Sequence, residues 1–227
     1  MSHQITGETA DLMSGDTDID WEQCYREGTT PWEKGAPHPE LEVVLGGAVA
    51  SFGVPDAAGD ADDGERRVLV PGCGFGHDVR AIASRFPAVR VTGLDIAPSA
   101  LAAARARTED VANAEILEQD VFNPPDEWQG SFDVVFEHTC LSAIHPSRRV
   151  AYASVLHRLL RPGGRIVAVF FINPDMDPGV QGPPFGIERP ELDELFGDGF
   201  ELLEKRFPIA TYPGREQREE WRVYRAL

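Results

Sequence analysis

Short apolar runs alternate with segments of helical periodicity through the middle of the chain. Val68–Gly72 is a β-branched run that ends in Pro and Gly, and the HDVRAIASRF that follows places apolar residues at helical spacing. Val89–Asp95 repeats the strand pattern, and Pro98 opens an alanine-rich helix at a position that suits proline. Two further apolar runs predict strands that end at Asp120 and His138.

The rest of the chain continues this alternation. PSRRVAYASVLHRLLRPGGRIVAVFF predicts a helix, a Pro-Gly-Gly stop and a fifth, strongly apolar strand. The tail predicts two more strands, and the short connection around Tyr212–Gly214 indicates an antiparallel pair at the sheet edge. The pattern therefore predicts an α/β fold, with a seven-stranded, mostly parallel sheet, helices on both faces and an antiparallel C-terminal strand.

Length and local composition predict the domain organisation. With 227 residues and 42% apolar content, the chain is suited to one α/β domain. We expect a single domain over residues 19–227, preceded by a polar, disordered segment at 1–18. The Pro/Gly-rich stretch 172–187 directly follows the fifth strand, where a long loop commonly acts as a lid.

Charge and targeting signals narrow the classes of partner. The net charge is −17, with 38 acidic and 21 basic residues, so the surface field repels phosphate backbones and anionic lipid. We expect neither nucleic acid nor a membrane surface as a partner. The start of the chain has no apolar signal core, and no run approaches the roughly 18 apolar residues of a membrane span. Three widely spaced cysteines predict no disulfide framework, which suits the cytoplasm. A monomer or weak homo-oligomer is expected.

The segment PGCGFGHD is the first candidate for ligand chemistry. Gly72, Gly74 and Gly76 permit a tight turn whose backbone approaches a ligand closely, ahead of a helix N-terminus. The GxGxG spacing differs from the GxGxxG of dinucleotide folds. A tight strand-to-helix turn without a ligand is the alternative interpretation.

Two acids at successive strand ends add to the glycine turn. Asp95 lies about 20 residues downstream, where a carboxylate accepts hydrogen bonds from ribose hydroxyls. Asp120 is placed to meet an adenine amino group, although it is also interpretable as a strand-end acid or helix cap. Glycine turn, ribose acid and adenine acid together favour S-adenosylmethionine over NAD.

Several segments resemble the thiopurine, thiol and halide methyltransferase family, which includes the plant thiocyanate methyltransferases. These are WEQCYREGTTPWEKG, LVPGCGFGHD, VTGLDIAPSAL, SFDVVFEHTCLSAIHP and GPPFG, and the resemblance runs from Trp21 to the C-terminus. It implies a Rossmann-like class I methyltransferase fold, an aromatic helical cover over residues 19–53, and S-adenosylmethionine converted to S-adenosylhomocysteine. The cofactor-binding residues that it implies are Trp21, Tyr25, Trp32, Gly72, Gly74, Asp95, Ile96, Asp120, Val121 and His138. His138 stands where the family often has an aromatic residue, and Tyr25 where some members have tryptophan.

The aromatic residues near the N-terminus have a physical role in this interpretation. A sulfonium cation near aromatic faces gains roughly 0.5–2 kcal/mol from cation–π attraction. The alternative is that Trp21 and Tyr25, four residues apart, pack an N-terminal helix onto the sheet. Both roles are compatible.

The implied reaction is an in-line displacement by a small, soft nucleophile: a thiol, hydrosulfide, thiocyanate, halide or heteroaromatic thiol. Alignment and desolvation of that nucleophile are the protein's contribution. The resemblance places Ile172–Gly186 over the acceptor, with Phe185 facing it. Arg215 is a second acceptor-side candidate, against the alternative of a solvated hairpin. A nicotinamide-dependent oxidoreductase and a non-catalytic nucleotide sensor are the competing functions.

Other reactive side chains are interpreted as structural. His138, Cys140 and His145 lack a carboxylate partner pattern, so no metal site is expected. Cys73, inside the glycine turn, is interpreted as a small packing residue rather than a nucleophile.

Overall fold

The computed structural model describes residues 19–47, 52, 65–172 and 182–227. Seven strands form one sheet in the order β3-β2-β1-β4-β5-β7-β6. The strands are β1 (Arg66–Pro71), β2 (Val89–Asp95), β3 (Ala114–Glu118), β4 (Phe132–His138), β5 (Leu160–Phe171), β6 (Phe200–Arg206) and β7 (Glu219–Ala226).

Helices flank the sheet and lead into it. They are α1 (Trp21–Glu27), α2 (Pro39–Gly46), α3 (His77–Arg85), α4 (Pro98–Thr108), α5 (Cys140–Ala143), α6 (Arg149–Leu159) and α7 (Arg189–Leu195). Two short 3-10 turns cover Asp126–Trp128 and Pro146–Arg148. None of the helices described is both long and apolar enough to cross a membrane.

The predicted sheet is confirmed, including its mixed direction. β1 to β5 pair in parallel, whereas β7 is antiparallel to both β5 and β6. β7 therefore lies inside the sheet and β6 forms the edge. The third strand ends at Glu118 rather than at the predicted Asp120. The carboxylate of Asp120 instead accepts from the amide of Phe122 at 2.9 Å, and this local bond stabilises a turn.

Two apolar layers pack against the two faces of the sheet. Side chains alternate along β1, so Val68 and Val70 belong to the layer with α3 and α4, and Leu69 belongs to the layer with α6 and α7. The first layer also contains Leu41 from α2 and Phe52, both fully buried. The N-terminal segment therefore shares the central core with the sheet.

Local sequence signals explain where the N-terminal helices begin and end. Asp20 caps α1 by accepting from the amide of Gln23 at 2.9 Å, and Gly28 ends the helix in a left-handed conformation. Pro39 occupies the first turn of α2, where a missing amide proton costs nothing. These caps fix the ends of two short helices, of which α2 also buries Leu41, Val44 and Leu45 in the core.

A buried carboxylate connects α2 to the C-terminal hairpin. Glu40 is fully buried, and its Oε2 accepts from the amides of Ile209 at 2.5 Å and Ala210 at 3.0 Å. Its Oε1 lies 2.6 Å from the guanidinium of Arg206. Because buried polar groups need partners, this carboxylate fixes the connection between β6 and β7 against the N-terminal segment.

We expect Glu40→Ala to lower the free energy of unfolding by roughly 1–3 kcal/mol, the range for leaving buried donors without an acceptor. Glu42→Ala is the matched control, because Glu42 lies on the same helix and is exposed. That control should change stability by less than about 0.5 kcal/mol. Urea denaturation of both variants measures the difference, and equal losses would contradict the proposed anchor.

Candidate active site

The glycine turn after β1 forms the floor of a cleft at the carboxyl edge of the sheet. Gly72 and Gly74 have φ of +59° and +51°, which glycine adopts without steric cost. A Cβ atom on Gly74 would lie 3.0 Å from the hydroxyl of Tyr25, and one on Gly72 would lie 3.0 Å from Sγ of Cys140. The two glycines therefore keep backbone exposed where side chains from other elements converge.

Gly76, the third glycine of the turn, has a packing role. It caps α3 with φ of +76°, and a Cβ atom there would lie 2.9 Å from Cβ of Ala104 on α4. No side chain fits between the two helices at this point. The GxGxG spacing thus combines two cleft positions with one helix-packing position.

The cleft has a volume of about 540 Å³, including the space at its mouth that is open to solvent. Its walls come from the segment between α1 and α2, the start of α3, the end of β4 and the β6–β7 connection. Residues that define these walls include Tyr25, Trp32, Gly74, Asp78, His138 and Tyr212.

The predicted N-terminal aromatics form one cluster over the glycine turn. Ring centroids lie 5.4 Å apart for Trp21 and Trp32, and 5.9 Å apart for Tyr25 and Trp32, both edge to face. The indole of Trp32 donates to the Tyr25 hydroxyl at 3.2 Å, and Tyr25 packs 5.2 Å from Phe75 of the turn. Burial raises the pKa of Tyr25 well above its usual range, so its hydroxyl stays neutral.

Polar contacts hold this aromatic segment to the domain. The carboxylate of Glu22 accepts from the amide and hydroxyl of Ser99 at 2.8 and 2.6 Å, at the start of α4. Glu33 bonds His77 at 3.0 Å, and the Tyr212 hydroxyl donates to the carbonyl of Ala36 at 2.8 Å. The packing role weighed for Trp21 and Tyr25 is therefore present, while their contact with a cofactor stays a prediction.

Asp95 holds the glycine turn as well as facing the ligand edge of the sheet. Its Oδ2 accepts from the amide of Gly74 at 2.9 Å, and its Oδ1 accepts from the amides of Ile96 and Ala97 at 2.8 and 3.0 Å. Burial raises its pKa, and the three amides oppose that rise. A carboxylate offers about four acceptor sites, so one remains on Oδ2 for a ligand hydroxyl. The sequence pattern did not predict these three bonds to backbone amides.

The residues predicted for the adenine end follow β2 and β3, outside the cleft walls. Ile96 is 50% exposed. The second carboxylate oxygen of Asp120 accepts from the side-chain Nδ2 of Asn123 at 2.9 Å, and Val121 is partly buried against the core. None of Ile96, Asp120 and Val121 is among the residues that line the described cleft, so their adenine role stays a prediction.

A largely buried polar network that includes part of the cleft wall was not predicted. Asp78 accepts from the amide of His38 at 2.9 Å and binds Nδ1 of His138 at 2.7 Å. His38 in turn binds Glu219 through Nε2 at 2.9 Å, and Glu219 accepts from Arg215 at 2.9 Å. Two features of the sequence could have indicated this network: His138 ends a buried strand, and Asp78 lies beside the glycine turn.

The charges in this network shift several pKa values. Burial opposes ionisation of Asp78, but the His138 ring and the His38 amide outweigh it and lower its pKa. Burial also opposes protonation of His138, yet the carboxylates of Asp78 and Glu219 prevail and raise its pKa. For His38, burial dominates and lowers the pKa. Its Nδ1 accepts from the amide of Glu40 at 3.1 Å, which fits a neutral ring.

The two predicted acceptor-side residues have different surroundings. The Phe185 ring packs edge to face on His145 at 5.5 Å, and its amide donates to the carbonyl of Ser142 at 2.7 Å. Phe185 does not line the cleft. Arg215 lies over the Phe171 ring at 4.5 Å and next to Tyr212 of the cleft wall. Most of the predicted lid, residues 173–181, lies outside the described residues.

The two cysteines in this region are partly buried free thiols. Burial raises the pKa of Cys73 and of Cys140, which disfavours their reactive thiolate forms. Within residues 19–47, 52, 65–172 and 182–227, no three His, Cys, Asp or Glu side chains are grouped as metal ligands.

The donor set suits S-adenosylmethionine. The glycine cradle admits backbone approach, Tyr25 and Trp32 present aromatic faces, and Asp95 retains an acceptor site for a ribose hydroxyl.

Comparisons with known proteins support this assignment. A model of the family described as thiopurine S-methyltransferase matches residues 16–217. The chain is 33% identical over 211 residues to thiocyanate methyltransferase 1 of Arabidopsis thaliana, spanning 89% of this chain and 83% of the relative. It is 30% identical over 220 residues to probable thiol methyltransferase 2 of the same plant, spanning 93% and 88%.

Solved structures share the fold. The 1,6-didemethyltoxoflavin-N1-methyltransferase of Burkholderia thailandensis matches with a TM-score of 0.68 at 20% identity, covering 91% of this chain and 85% of that one. A likeness at that identity shows the class I methyltransferase fold alone. With the family model spanning most of the chain, the protein belongs to the thiopurine S-methyltransferase family and is an S-adenosylmethionine-dependent methyltransferase.

Proposed function

We propose that the protein methylates a small, soft nucleophile, with sulfur compounds, thiocyanate and halides as the candidate acceptors. The observation that carries the proposal is the position of the cleft, between the glycine turn and the walls formed by Tyr25, Trp32, His138 and Tyr212. The two plant relatives reported above are named for thiocyanate and thiols, which supports a small acceptor.

The residues divide into a cofactor group and an acceptor group. In the first, Gly72 and Gly74 allow close approach of the cofactor and Asp95 accepts from its ribose. Trp21, Tyr25 and Trp32 face the charged sulfur, while Ile96, Asp120, Val121 and His138 contact the remainder. When bound, the cofactor supplies a methyl group on a positively charged sulfur atom. In the second group, Tyr212 lines the cleft and Arg215 packs behind it, while Phe185 remains an acceptor-side candidate on the family resemblance, outside the cleft lining.

The protein's own contribution is alignment and exclusion of water. Aromatic walls replace part of the hydration shell of an attacking anion, and a fixed position beside the methyl group raises its effective concentration. The carboxyl edge of the sheet positions the glycine turn, the aromatic walls and the acceptor-side residues. We propose one methyltransferase domain over residues 19–227, with 19–53 as cover and 172–187 as lid.

The biological setting is part of the proposal. The net charge of −17 disfavours phosphate-rich partners, so the partner is a small molecule rather than nucleic acid or a membrane. We place the protein in the cytoplasm, as a monomer or weak homo-oligomer.

The function is tested by calorimetry and turnover. We expect S-adenosylmethionine and S-adenosylhomocysteine to bind, and NAD and NADP not to bind. Radiolabelled methyl transfer should occur to at least one acceptor among small thiols, hydrosulfide, thiocyanate, iodide and a heteroaromatic thiol. Cofactor binding without transfer to any of these acceptors would contradict the proposed acceptor class.

Asp95→Asn should weaken binding of S-adenosylhomocysteine by roughly 1–3 kcal/mol, because a charged acceptor of the ribose is lost. The melting temperature should also fall, since the Asn side chain cannot accept from all three backbone amides. Asp126→Asn, at an exposed site, is the control for both measurements. Calorimetry on the folded variant measures the effect, and unchanged affinity would refute the ribose role.

Trp32→Leu should reduce the affinity for S-adenosylmethionine more than that for S-adenosylhomocysteine. Cation–π attraction of roughly 0.5–2 kcal/mol is available only to the sulfonium, because the product is an uncharged thioether. Comparing the two dissociation constants in wild type and variant isolates that difference. An equal loss for both ligands would show that Trp32 acts through packing with Trp21 and Tyr25 alone.

A further inference from the structure

The imidazole of His138 is held in one orientation at the end of β4. Nδ1 lies 2.7 Å from Oδ2 of Asp78, the His38 ring contacts it edge to face at 4.8 Å, and the Tyr212 ring stacks on it at 6.2 Å. These three contacts come from α3, the start of α2 and the β6–β7 connection. Contacts from three separate elements therefore fix the orientation of the ring.

The contact with Asp78 determines which nitrogen carries the proton in the neutral ring. Oδ1 of Asp78 accepts from the His38 amide, and the lowered pKa keeps the carboxyl ionised. An ionised carboxylate only accepts, so Nδ1 of His138 donates to it. The lone pair of neutral His138 therefore lies on Nε2.

Nε2 of His138 is available to a molecule in the cleft. Within the described part of the chain it has no hydrogen-bond partner, since Nδ1 makes the ring's one hydrogen bond. The side chain is 16% exposed and lines the cleft next to Thr139. A buried, oriented histidine with one free nitrogen is the arrangement of a general base.

The charged groups around His138 strengthen it as a base. Asp78 faces it from α3 and Glu219 from β7, and both raise its pKa, whereas burial and the cation of Arg215 lower it. His38, on the remaining side, is a neutral donor to Glu219. The other ionisable group in ring contact is Tyr212, whose pKa burial raises well above the usual range, so it stays uncharged.

We propose that His138, positioned by Asp78, accepts the proton of a thiol acceptor in the cleft, so that methylation of thiols depends on a base that acceptors without a proton do not need. The proposal rests on the proposed function and specifies thiols among its candidate acceptors. Thiols have pKa values near 8.5 and are mostly protonated at neutral pH, while only the thiolate is a strong nucleophile. Thiocyanate and halides carry no proton, so their methylation needs no base.

The proton step is balanced within the cleft. The S–H bond of the acceptor breaks, its electron pair stays on sulfur, and the proton forms the N–H bond at Nε2. The thiolate sulfur then forms the bond to the methyl carbon, and the electron pair of the broken carbon–sulfur bond remains on the departing thioether. His138 releases its proton to water when the products leave.

His138→Gln tests the proposal, with 2-mercaptoethanol as the protic acceptor and thiocyanate as the acceptor without a proton. At neutral pH, kcat/KM for 2-mercaptoethanol should fall by about 10²–10⁴-fold, the range for loss of a general base. Thiocyanate turnover by the same preparation reports any loss of cofactor contact, which both acceptors share. The ratio of kcat/KM for 2-mercaptoethanol to that for thiocyanate should therefore fall by about 10²–10⁴-fold. Raising the pH above the pKa of the free thiol should recover most of the loss, because the acceptor then arrives ionised.

A second variant gives a readout that does not need turnover. Titration of the histidine ring signals by NMR should show a pKa for His138 above the ordinary value in the wild type. Asp78→Asn should lower that pKa, since the neutral amide no longer stabilises the imidazolium. The pH–rate profile for 2-mercaptoethanol should shift in the same direction. This dependence distinguishes a positioning role of Asp78 from a purely structural one.

The outcomes separate the proposal from the function on which it rests. Failure of the wild type to bind S-adenosylhomocysteine or to methylate any acceptor refutes the proposed function. Normal cofactor binding with transfer to thiocyanate but not to thiols overturns the base role alone. Equal losses for both acceptors in folded His138→Gln, or a loss that high pH does not recover, also overturn it, by assigning His138 to anion binding or packing.

Discussion

The carboxylate of Asp78 is the interaction on which the site depends. It is the second residue of α3, directly after the glycine turn, and it bonds the His38 amide on one side and the His138 ring on the other. One buried anion thereby joins the N-terminal segment, the cofactor turn and the central strand β4. Because an uncompensated charge is costly where solvent access is small, the bonds of Asp78 to His38 and His138 stabilise the contact between these elements.

The order of the strands places the glycine turn and the end of β4 close enough for Asp78 to connect them. β1 lies between β2 and β4, so the chain proceeds outward in one direction through β2 and β3 and in the other through β4 and β5. The crevice at this reversal is where open α/β sheets bind ligands. The glycine turn follows β1 and His138 ends β4, so the topology puts cofactor chemistry and acceptor chemistry side by side.

Stability and function share residues throughout the site. Asp95 fixes the glycine turn with three of its acceptor sites and retains one for a ligand. Tyr25 and Trp32 wall the cleft while packing α1 onto the turn. A class I fold alone does not determine the acceptor, since related folds support many reactions. The acceptor is determined by the side chains that reach the cleft from β4, α3 and the β6–β7 connection.

The sequence by itself determined the α/β class, the mostly parallel sheet, the glycine turn and the acids that follow β2 and β3. These features are local: strand periodicity, glycine spacing and capping residues act over a few positions, so they are readable from neighbours in the chain. Family membership was likewise readable, because its motifs are short and contiguous.

Only the tertiary structure decided how distant residues meet. His38 and Glu219 are 181 positions apart and bond at 2.9 Å, and Asp78 and His138 are 60 positions apart. No periodicity encodes such pairs, which follow from the order of the strands and from the requirement that buried polar groups find partners. The same requirement placed Tyr212 in the cleft wall, held by a hydrogen bond to the carbonyl of Ala36, although its sequence neighbours indicate only a turn.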